Sequence, residues 1–301
     1  MTRDYAASAT AAGETVRIVA ARTTDIVREA QARHDCSPTV TAALGRLLTG
    51  AALLGIGLSD RERLTLQVSA DGPVRYLVAD AMPGGRVRGY PGRARAEVPL
   101  NALGKFDVGG VIGRGSLHVT RIYDTGLPYT SAVPLRSGEI GDDLAHYFAN
   151  SEQVPSVVAV GVLANPDGVL AAGGIIAQLL PGAESSTIER LETEARKLGQ
   201  VSTLVRAGMS PEEMIDHVAA GLAPHMRHVQ PLSFSCPCDR ARVARALVTL
   251  GSQALREMAA VDADTEATCD FCGQRYYFSP DEVGEILAGA SDRRAGEPGV
   301  G

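Results

Sequence analysis

Four of the five cysteines lie in two closely spaced pairs near the C-terminus, Cys236 with Cys238 and Cys269 with Cys272. A cysteine thiolate binds metals and is also the atom that oxidants attack. Two cysteines one or two residues apart can bind the same ion without straining the backbone, and four complete the tetrahedral coordination of zinc. The spacing therefore predicts one Zn²⁺ per chain, held by these four residues.

The cysteine pairs fit two kinds of zinc site, one that only holds a small domain together and one that senses oxidants. Most closed four-cysteine sites are structural. A disulfide between Cys236 and Cys238, however, closes a small strained ring that is easily reduced again. Zinc contributes about 10 to 16 kcal/mol to the folding of model zinc peptides, so its loss should unfold a small domain. The spacing alone leaves both kinds of site open.

The composition is that of a globular protein without general affinity for polyanions. The chain has 301 residues, 45% of them hydrophobic, and a net charge of -6, which disfavours nonspecific binding to nucleic acid or anionic lipid. No secretory signal pattern opens the sequence, and its most apolar segment, Leu47 to Leu58, is shorter than the roughly 20 residues that span a bilayer. We expect a cytoplasmic protein with no membrane partner.

Residues 1–180 carry the pattern of an α+β domain. Val16 to Ala21 is predicted to be a strand, and Ser37-Pro38 begins a predicted buried helix. Alternating apolar residues on both sides of Asp71-Gly72 predict a β-hairpin, and the segment Asn165 to Gly168 predicts the turn of a second hairpin.

Residues 181–229 are predicted to be a linker of amphipathic helices. Ser186 and Glu189 fit a capping box, and Ser210 begins a second helix. Such short helices cannot bury their apolar faces alone, so we expect them to lie against a neighbouring surface. The apolar residues of these faces, which are candidates for binding other proteins, are Ile188, Leu191, Leu198, Met214 and Ile215.

Residues 230–289 are predicted to form the zinc-binding domain and residues 290–301 a disordered tail. Arg242 to Leu250 is a predicted helix, Tyr276 to Phe278 a predicted strand, and Ser279 is the predicted cap of a last helix. About 60 residues is a marginal size for a hydrophobic core, so the metal should carry much of the stability. Its loss should release the adjacent linker and expose apolar surface.

The remaining cysteine and the histidines have simpler interpretations. Cys36 precedes the predicted buried helix, where a plain buried thiol is favoured over a regulatory one. His118 alternates within a strand and is interpreted as a sheet residue. His217, His225 and His228 lie near the end of the linker and could replace a ligand only if the set of four thiolates were incomplete.

The sequence gives little support for an enzyme, and a zinc-ribbon nucleic-acid binder with a purely structural zinc site is the main alternative. The motifs of a nucleophile elbow, a P-loop and a dinucleotide-binding loop are missing. Between Pro231 and Pro280 there are five arginines and six acidic residues, so the expected basic surface is missing. The stripe Arg240, Arg242 and Arg245 fits a solvated helix face equally well.

Several segments match one known family over nearly the whole chain. The most specific are Cys236-Pro-Cys238-Asp-Arg-Ala-Arg242 and Cys269-Asp-Phe-Cys272-Gly273 with Tyr276-Tyr-Phe278; supporting segments are Ser37-Pro-Thr-Val40 with Ala43-Leu-Gly-Arg46, Asp142-Asp-Leu-Ala145, Tyr147-Phe148 and Ser151-Glu-Gln-Val-Pro-Ser156. With these segments the chain resembles the heat shock protein 33 family of redox-regulated chaperones. Asp239 and Ala241 depart from the serine and glutamate expected there, which affects only the surroundings of the four ligands.

The resemblance implies an ATP-independent holdase with a chaperone core domain in residues 1–180. In such a protein the reduced, zinc-bound form is inactive. Oxidation is implied to form the disulfides Cys236–Cys238 and Cys269–Cys272, to release zinc and to unfold the linker. The activated form is implied to be a homodimer that binds unfolding client proteins and prevents their aggregation.

Overall fold

The protein is described by a computed structural model over residues 3–123, 126–165 and 167–295. Its contacts divide the chain between Ser235 and Cys236 into two units. In chain order, the elements of the first unit are β1 (Tyr5–Ala11), β2 (Val16–Arg22), α1 (Thr24–His34), α2 (Pro38–Leu54), β3 (Arg63–Ala70), β4 (Tyr76–Met82), β5 (Arg86–Pro91), α3 (Val108–Ile112), β6 (Gly115–Ile122), β7 (Pro128–Pro134), α4 (Gly141–Tyr147), β8 (Ser156–Asn165), β9 (Gly168–Leu179), α5 (Ser185–Leu198), α6 (Val201–Arg206), α7 (Pro211–Val218), β10 (His225–Pro231) and β11 (Ser233–Phe234).

Two sheets form the framework of the first unit. The five strands of the first sheet lie in the order β10-β1-β2-β9-β8 and are all antiparallel. The second sheet has the order β11-β5-β4-β3-β6-β7. Strand β11 is parallel to β5, and all other neighbouring strands of this sheet are antiparallel. Both predicted hairpins, β3 with β4 and β8 with β9, are confirmed. The mixture of helices with largely antiparallel sheets is the predicted α+β fold.

Helix α2 is the centre of this unit because it packs against strands of both sheets. Fifteen of its 17 residues are buried, and a helix that is apolar on all sides is stable only in the interior. The Oγ atom of Ser37 accepts a hydrogen bond from the backbone N–H of Val40, and Pro38 occupies the first turn. The predicted cap and buried helix are thus confirmed.

Helices α5, α6 and α7 cover an apolar face of the first sheet. Leu191, Val205 and Met214 pack with Val16 and Ile18 in one buried cluster, so the expected neighbouring surface is the sheet of their own unit. The predicted capping box of Ser186 and Glu189 is wrong: α5 begins at Ser185, and no side chain caps it. The N-terminal turn of α5 therefore depends on packing, not on a local cap.

Strand β10 changes the predicted boundaries. It pairs with β1 from Tyr5 opposite Pro231 to Thr10 opposite His225, so residue 230 lies inside a strand of the first unit. Helices α5 to α7 belong to the same unit. The sequence did not reveal this pairing because β10 is an edge strand whose residues are mostly exposed, which removes the alternation that marks a half-buried strand.

The second unit is small. Its elements are α8 (Arg240–Val248), α9 (Ser252–Ala259), β12 (Thr265–Thr268), β13 (Arg275–Phe278) and α10 (Pro280–Ala295). Its core centres on Leu247, Leu255, Phe278 and Val283. The predicted cap of the last helix is confirmed, since the Oγ atom of Ser279 accepts from the N–H of Glu282.

The C-terminal helix is longer than the sequence predicts. Helix α10 continues to Ala295, so residues 290–295, predicted to be disordered, are helical; residues 296–301 lie outside the described residues. None of the helices that the structure describes combines the length and the apolar character needed to cross a bilayer.

Candidate metal centre

The four cysteines of the candidate site lie in two loops of the second unit. Cys236 and Cys238 precede α8, and Cys269 and Cys272 lie in the turn that joins β12 to β13. Antiparallel pairing sets that turn, with Thr268 opposite Arg275. A short hairpin thus holds one cysteine pair, and the start of a helix holds the other.

Local hydrogen bonds fix the first pair. The Oδ1 atom of Asp239 accepts from the N–H of Arg242 at 2.6 Å and caps α8. The Arg242 guanidinium donates to the carbonyl of Pro237, between the two cysteines, at 3.0 Å. Aspartate is as good a cap as serine, so the departure at position 239 keeps the local geometry.

The second pair lies on a turn that needs glycine. Gly273 has a φ of +70°, and its N–H donates to the carbonyl of Cys269 at 2.8 Å. The N–H of Cys269 donates to the carbonyl of Gln274 at 2.9 Å. Because a left-handed backbone favours glycine, Gly273 suits this turn.

The four sulfur atoms converge. All four Sγ atoms lie within 4.8 Å of one another. Cys236 Sγ is 3.8 Å from Cys269 Sγ, and Cys238 Sγ is 3.3 Å from Cys272 Sγ. A tetrahedral zinc ion with Zn–S bonds of about 2.3 Å separates its sulfur ligands by about 3.8 Å. The donor type, number and spacing therefore fit a metal ion that prefers four thiolates.

One tyrosine forms a hydrogen bond with a cysteine of this cluster and affects its pKa. The hydroxyl of Tyr276 donates to Cys238 Sγ at 3.3 Å. Burial alone would raise the pKa of Cys238, but the hydrogen bonds from Tyr276 and the other thiols lower it. Burial raises the pKa of Cys269 and of Cys272. Tyr276 thus favours the thiolate at Cys238, the form that binds metals.

The sequence named Tyr276 only as part of an aromatic run, and its chemical role was missed. Its distance from Cys238 is 38 residues along the chain, so no local spacing could reveal the contact. The pairing of β12 with β13, opposite Ala267, fixes the position of Tyr276 beside the cysteines.

The other candidate ligands lie elsewhere. Among the described residues, the metal-binding cluster of histidines, cysteines and acids consists of the four cysteines alone. His118 contacts Ser116 Oγ at 2.8 Å within β6, as its sheet interpretation requires. Burial and the Asp35 carboxylate raise the pKa of the buried Cys36 thiol to about 12, which disfavours its reactive thiolate form.

The apolar residues predicted as protein-binding candidates are covered in this structure. Leu191, Met214 and Ile215 are fully buried, Leu198 is 5% exposed, and Ile188 is partly exposed. They bind nothing as long as the helices stay on the sheet, so any role in binding other proteins requires the helices to move.

Two arginines of the stripe Arg240, Arg242 and Arg245 contact groups of the second unit itself. Arg240 pairs with Glu282 at 2.6 Å, and its guanidinium lies 4.4 Å from the centre of the Phe278 ring. Arg242 donates to the backbone near the cysteines. Two of the three arginines thus stabilise the unit itself, which weakens the argument for a nucleic-acid surface.

Comparisons with known proteins agree with this geometry. The model of the Hsp33 protein family matches residues 4–279. The "33 kDa chaperonin" of Geobacillus kaustophilus is 41% identical over 94% of this chain and 97% of its own length. That of Symbiobacterium thermophilum is 43% identical over 97% and 99% of the two chains. The crystal structure of the 33 kDa chaperonin from Thermotoga maritima, 36% identical, superposes with a TM-score of 0.90 and covers 97% of this chain and all of that one.

Proposed function

Since this chain belongs to the Hsp33 protein family, we propose that it is a redox-regulated, ATP-independent chaperone that holds unfolding proteins and acts without catalysis. The reduced form with Zn²⁺ on Cys236, Cys238, Cys269 and Cys272 is the inactive state. Oxidation of the four cysteines converts it into the client-binding state. The cytoplasm suits such a switch because it keeps thiols reduced in the absence of stress.

The observation that carries the proposal is the apolar sheet face beneath helices α5 to α7. This face contains Ala9, Val16, Ile18, Ile175 and Ala177, all of them buried under the helices. A holdase needs apolar surface that is hidden at rest and exposed on demand. The helices and the sheet face beneath them supply two such surfaces, and the helices are followed in sequence by β10 and β11, which lead to the cysteines.

The chemical step removes negative charge from the metal ligands. Each disulfide forms as two thiolates lose two electrons to one molecule of hydrogen peroxide. The O–O bond of the peroxide breaks, and its two oxygens take up two protons to leave as two molecules of water. Two disulfides consume all four thiolates, and an uncharged disulfide no longer binds zinc. The membership in the family implies that the bonds are Cys236–Cys238 and Cys269–Cys272.

Loss of the metal should melt the second unit. Its core centres on four buried apolar side chains, so the metal is expected to supply most of its stability. The chain immediately before Cys236 is bonded into the second sheet, where the N–H of Ser235 donates to Val87. A melted second unit adds conformational freedom at this point, which favours release of β11, β10 and the helices before them.

Release of the helices also favours self-association. Two activated chains that expose the same apolar face can bury it against each other, and symmetric dimers are the commonest result of such self-complementary surfaces. We therefore propose a homodimer as the oxidised form. Clients then bind the apolar surface that the dimer leaves exposed.

The experiment compares zinc release with protection of a client. The zinc-loaded, reduced protein is treated with hydrogen peroxide at mild heat, released zinc is measured with a chromogenic chelator, and light scattering follows aggregation of a thermally unfolding client. The two signals should rise together and reverse with a thiol reductant. Equal protection by the reduced protein, or zinc release without protection, contradicts the proposal. Salt-dependent binding of RNA by the reduced protein would instead support a nucleic-acid function.

A further inference from the structure

A polar cavity in the first unit is formed by residues of both sheets. Its volume is about 410 Å³, within the range of small-molecule sites. Arg17 on β2 and Gln178 on β9 contribute from the first sheet, where they are direct cross-strand neighbours. Arg121 on β6 and Ser131 on β7 contribute from the second sheet.

The segment after α4 completes the cavity. Phe148–Glu152 forms a single π-helical turn, a feature that is frequent at functional sites. The Oε1 atom of Glu152 accepts from Arg121 at 2.9 Å and from the Tyr147 hydroxyl at 2.8 Å. Tyr147, Phe148 and Ser151 belong to the segments that resemble the chaperone family, yet the cysteine switch gives them no role.

Among the residues that the structure describes, the cavity lining has more positive than negative charge. These residues contribute two guanidinium groups, those of Arg17 and Arg121, and one carboxylate, that of Glu152. Glu152 pairs with Arg121. The Arg17 side chain makes no hydrogen bond or ion pair with another described residue. Burial and the charge of Arg121 lower the pKa of Arg17, and the Glu152 carboxylate offsets only part of this effect. Glu152 is therefore shared between two arginines, of which it bonds directly only to Arg121.

We infer that this cavity binds a small phosphate-type oxyanion, either free or as the phosphate group of a nucleotide. The Arg17 guanidinium is planar, permanently charged and able to donate two parallel hydrogen bonds to such a group. Gln178 and Ser131 supply further polar atoms around it. The exposed ring of Tyr129 lies in the same lining and offers a stacking face to a base.

A purely structural reading accounts for Arg121 but not for Arg17. The Arg121–Glu152 pair fastens the π-helical turn to β6. A second arginine beside this pair costs free energy through repulsion and desolvation, and the single carboxylate of Glu152 offsets only part of that cost. The net charge of the whole chain is -6, so a general attraction for anions does not explain binding here.

The test measures binding of diphosphate to the full-length, reduced, zinc-loaded protein by calorimetry and by thermal shift. Saturable binding is expected, and Arg17→Gln should weaken it by about tenfold or more, since a charge-assisted hydrogen bond is lost. Arg61→Gln is the matched control, because Arg61 is exposed and outside the cavity. Ser131→Asp keeps both arginines, adds a carboxylate to the lining, and should also abolish binding.

The ligand source is resolved by comparing diphosphate with adenosine diphosphate. Equal affinities for the two probes identify a free oxyanion as the ligand. Tighter binding of adenosine diphosphate, with the extra affinity lost in Tyr129→Ala, identifies a nucleotide. Either result supports the inference. Circular dichroism verifies that each variant is folded. No saturable binding of either probe, or equal binding by the wild type and a folded Arg17→Gln variant, overturns the inference and leaves the proposed chaperone function untouched.

Discussion

The hydroxyl of Tyr276 donates a hydrogen bond to the sulfur of Cys238 at 3.3 Å. A donor of this kind takes up part of the negative charge of a thiolate and makes the sulfur a weaker nucleophile. It also orients the ligand, as groups just outside a metal's coordination sphere commonly do. We therefore expect the tyrosine to stabilise the proposed metal-bound form and to slow its oxidation.

The first prediction is that Tyr276→Phe makes the site more sensitive to oxidants. Zinc affinity should fall by about 10-fold or more, the usual effect of removing such a partner, and zinc should leave at lower peroxide concentrations. Competition with a chelator measures the affinity, and titration with peroxide measures the threshold. Tyr277→Phe is the control, because Tyr277 is 47% exposed. Identical thresholds for the two variants would show that the hydrogen bond has no such role.

The second prediction concerns the dependence of the second unit on its metal. Cys269→Ser leaves three thiolates, so stoichiometric zinc binding should be lost and the unit should unfold. Amide hydrogen exchange should then become fast in residues 236–295 while α2 stays protected. Cys36→Ser removes a thiol from the first unit and should retain zinc and protection. Slow exchange in a zinc-free Cys269→Ser protein would contradict the metal's structural role.

The convergence of the four cysteines was predictable from sequence because its determinants are local. The spacing of the two cysteine pairs and the glycine at position 273 follow from the geometry of a few residues. The buried helix α2 was predictable for a similar reason, since Ser37 and Pro38 mark its start. The contact of Tyr276 with Cys238 was not, because it depends on the pairing of β12 with β13.

Strands β1 and β10 could not be predicted from the sequence. β1, from Tyr5 to Ala11, consists mostly of alanine and serine, which are poor indicators of a strand. β10 is mostly exposed and has no periodic pattern. β10 pairs with β1, and β1 pairs on its other side with β2, so both strands are specified chiefly by their partners. That is why the predicted boundary at residue 230 lay inside a strand.

The third prediction tests whether helices α5 to α7 restrain the chaperone. Leu191 is fully buried on the sheet, and Leu191→Ala should weaken the packing of α5 by about 2 to 5 kcal/mol. The reduced, zinc-bound variant should therefore protect a client partially without oxidant. Glu189→Ala changes an exposed residue of the same helix and should stay inactive until oxidised. If residues 185–218 of the reduced Leu191→Ala protein are cleaved faster but the protein does not protect a client, the client-binding surface lies elsewhere.

Asp4 is a buried acid that links the start of the chain to α1. Its Oδ2 atom accepts from the N–H of Ile26 at 2.8 Å, in the first turn of α1. Arg22 lies 3.8 Å from its other oxygen. Asp4 is 3% exposed. Burial is the largest cause that raises its pKa, from the usual 3.8 to about 6, against the hydrogen bond from Ile26 and the charge of Arg22.

The fourth prediction follows from this shift. Because the folded state binds the Asp4 proton more tightly than the unfolded state, its contribution to stability is fully present below pH 3.8 and is lost as the pH rises through about 6, by about 3 kcal/mol in total. Asp4→Asn keeps an acceptor for Ile26 and cannot ionise. Its free energy of unfolding, measured with urea and circular dichroism, should therefore decline less between pH 5 and pH 8 than that of the wild type. Glu29→Gln alters an exposed acid of α1 and should retain the full decline. Parallel curves for the wild type and Asp4→Asn would mean that Asp4 ionises in the folded protein at its ordinary pKa.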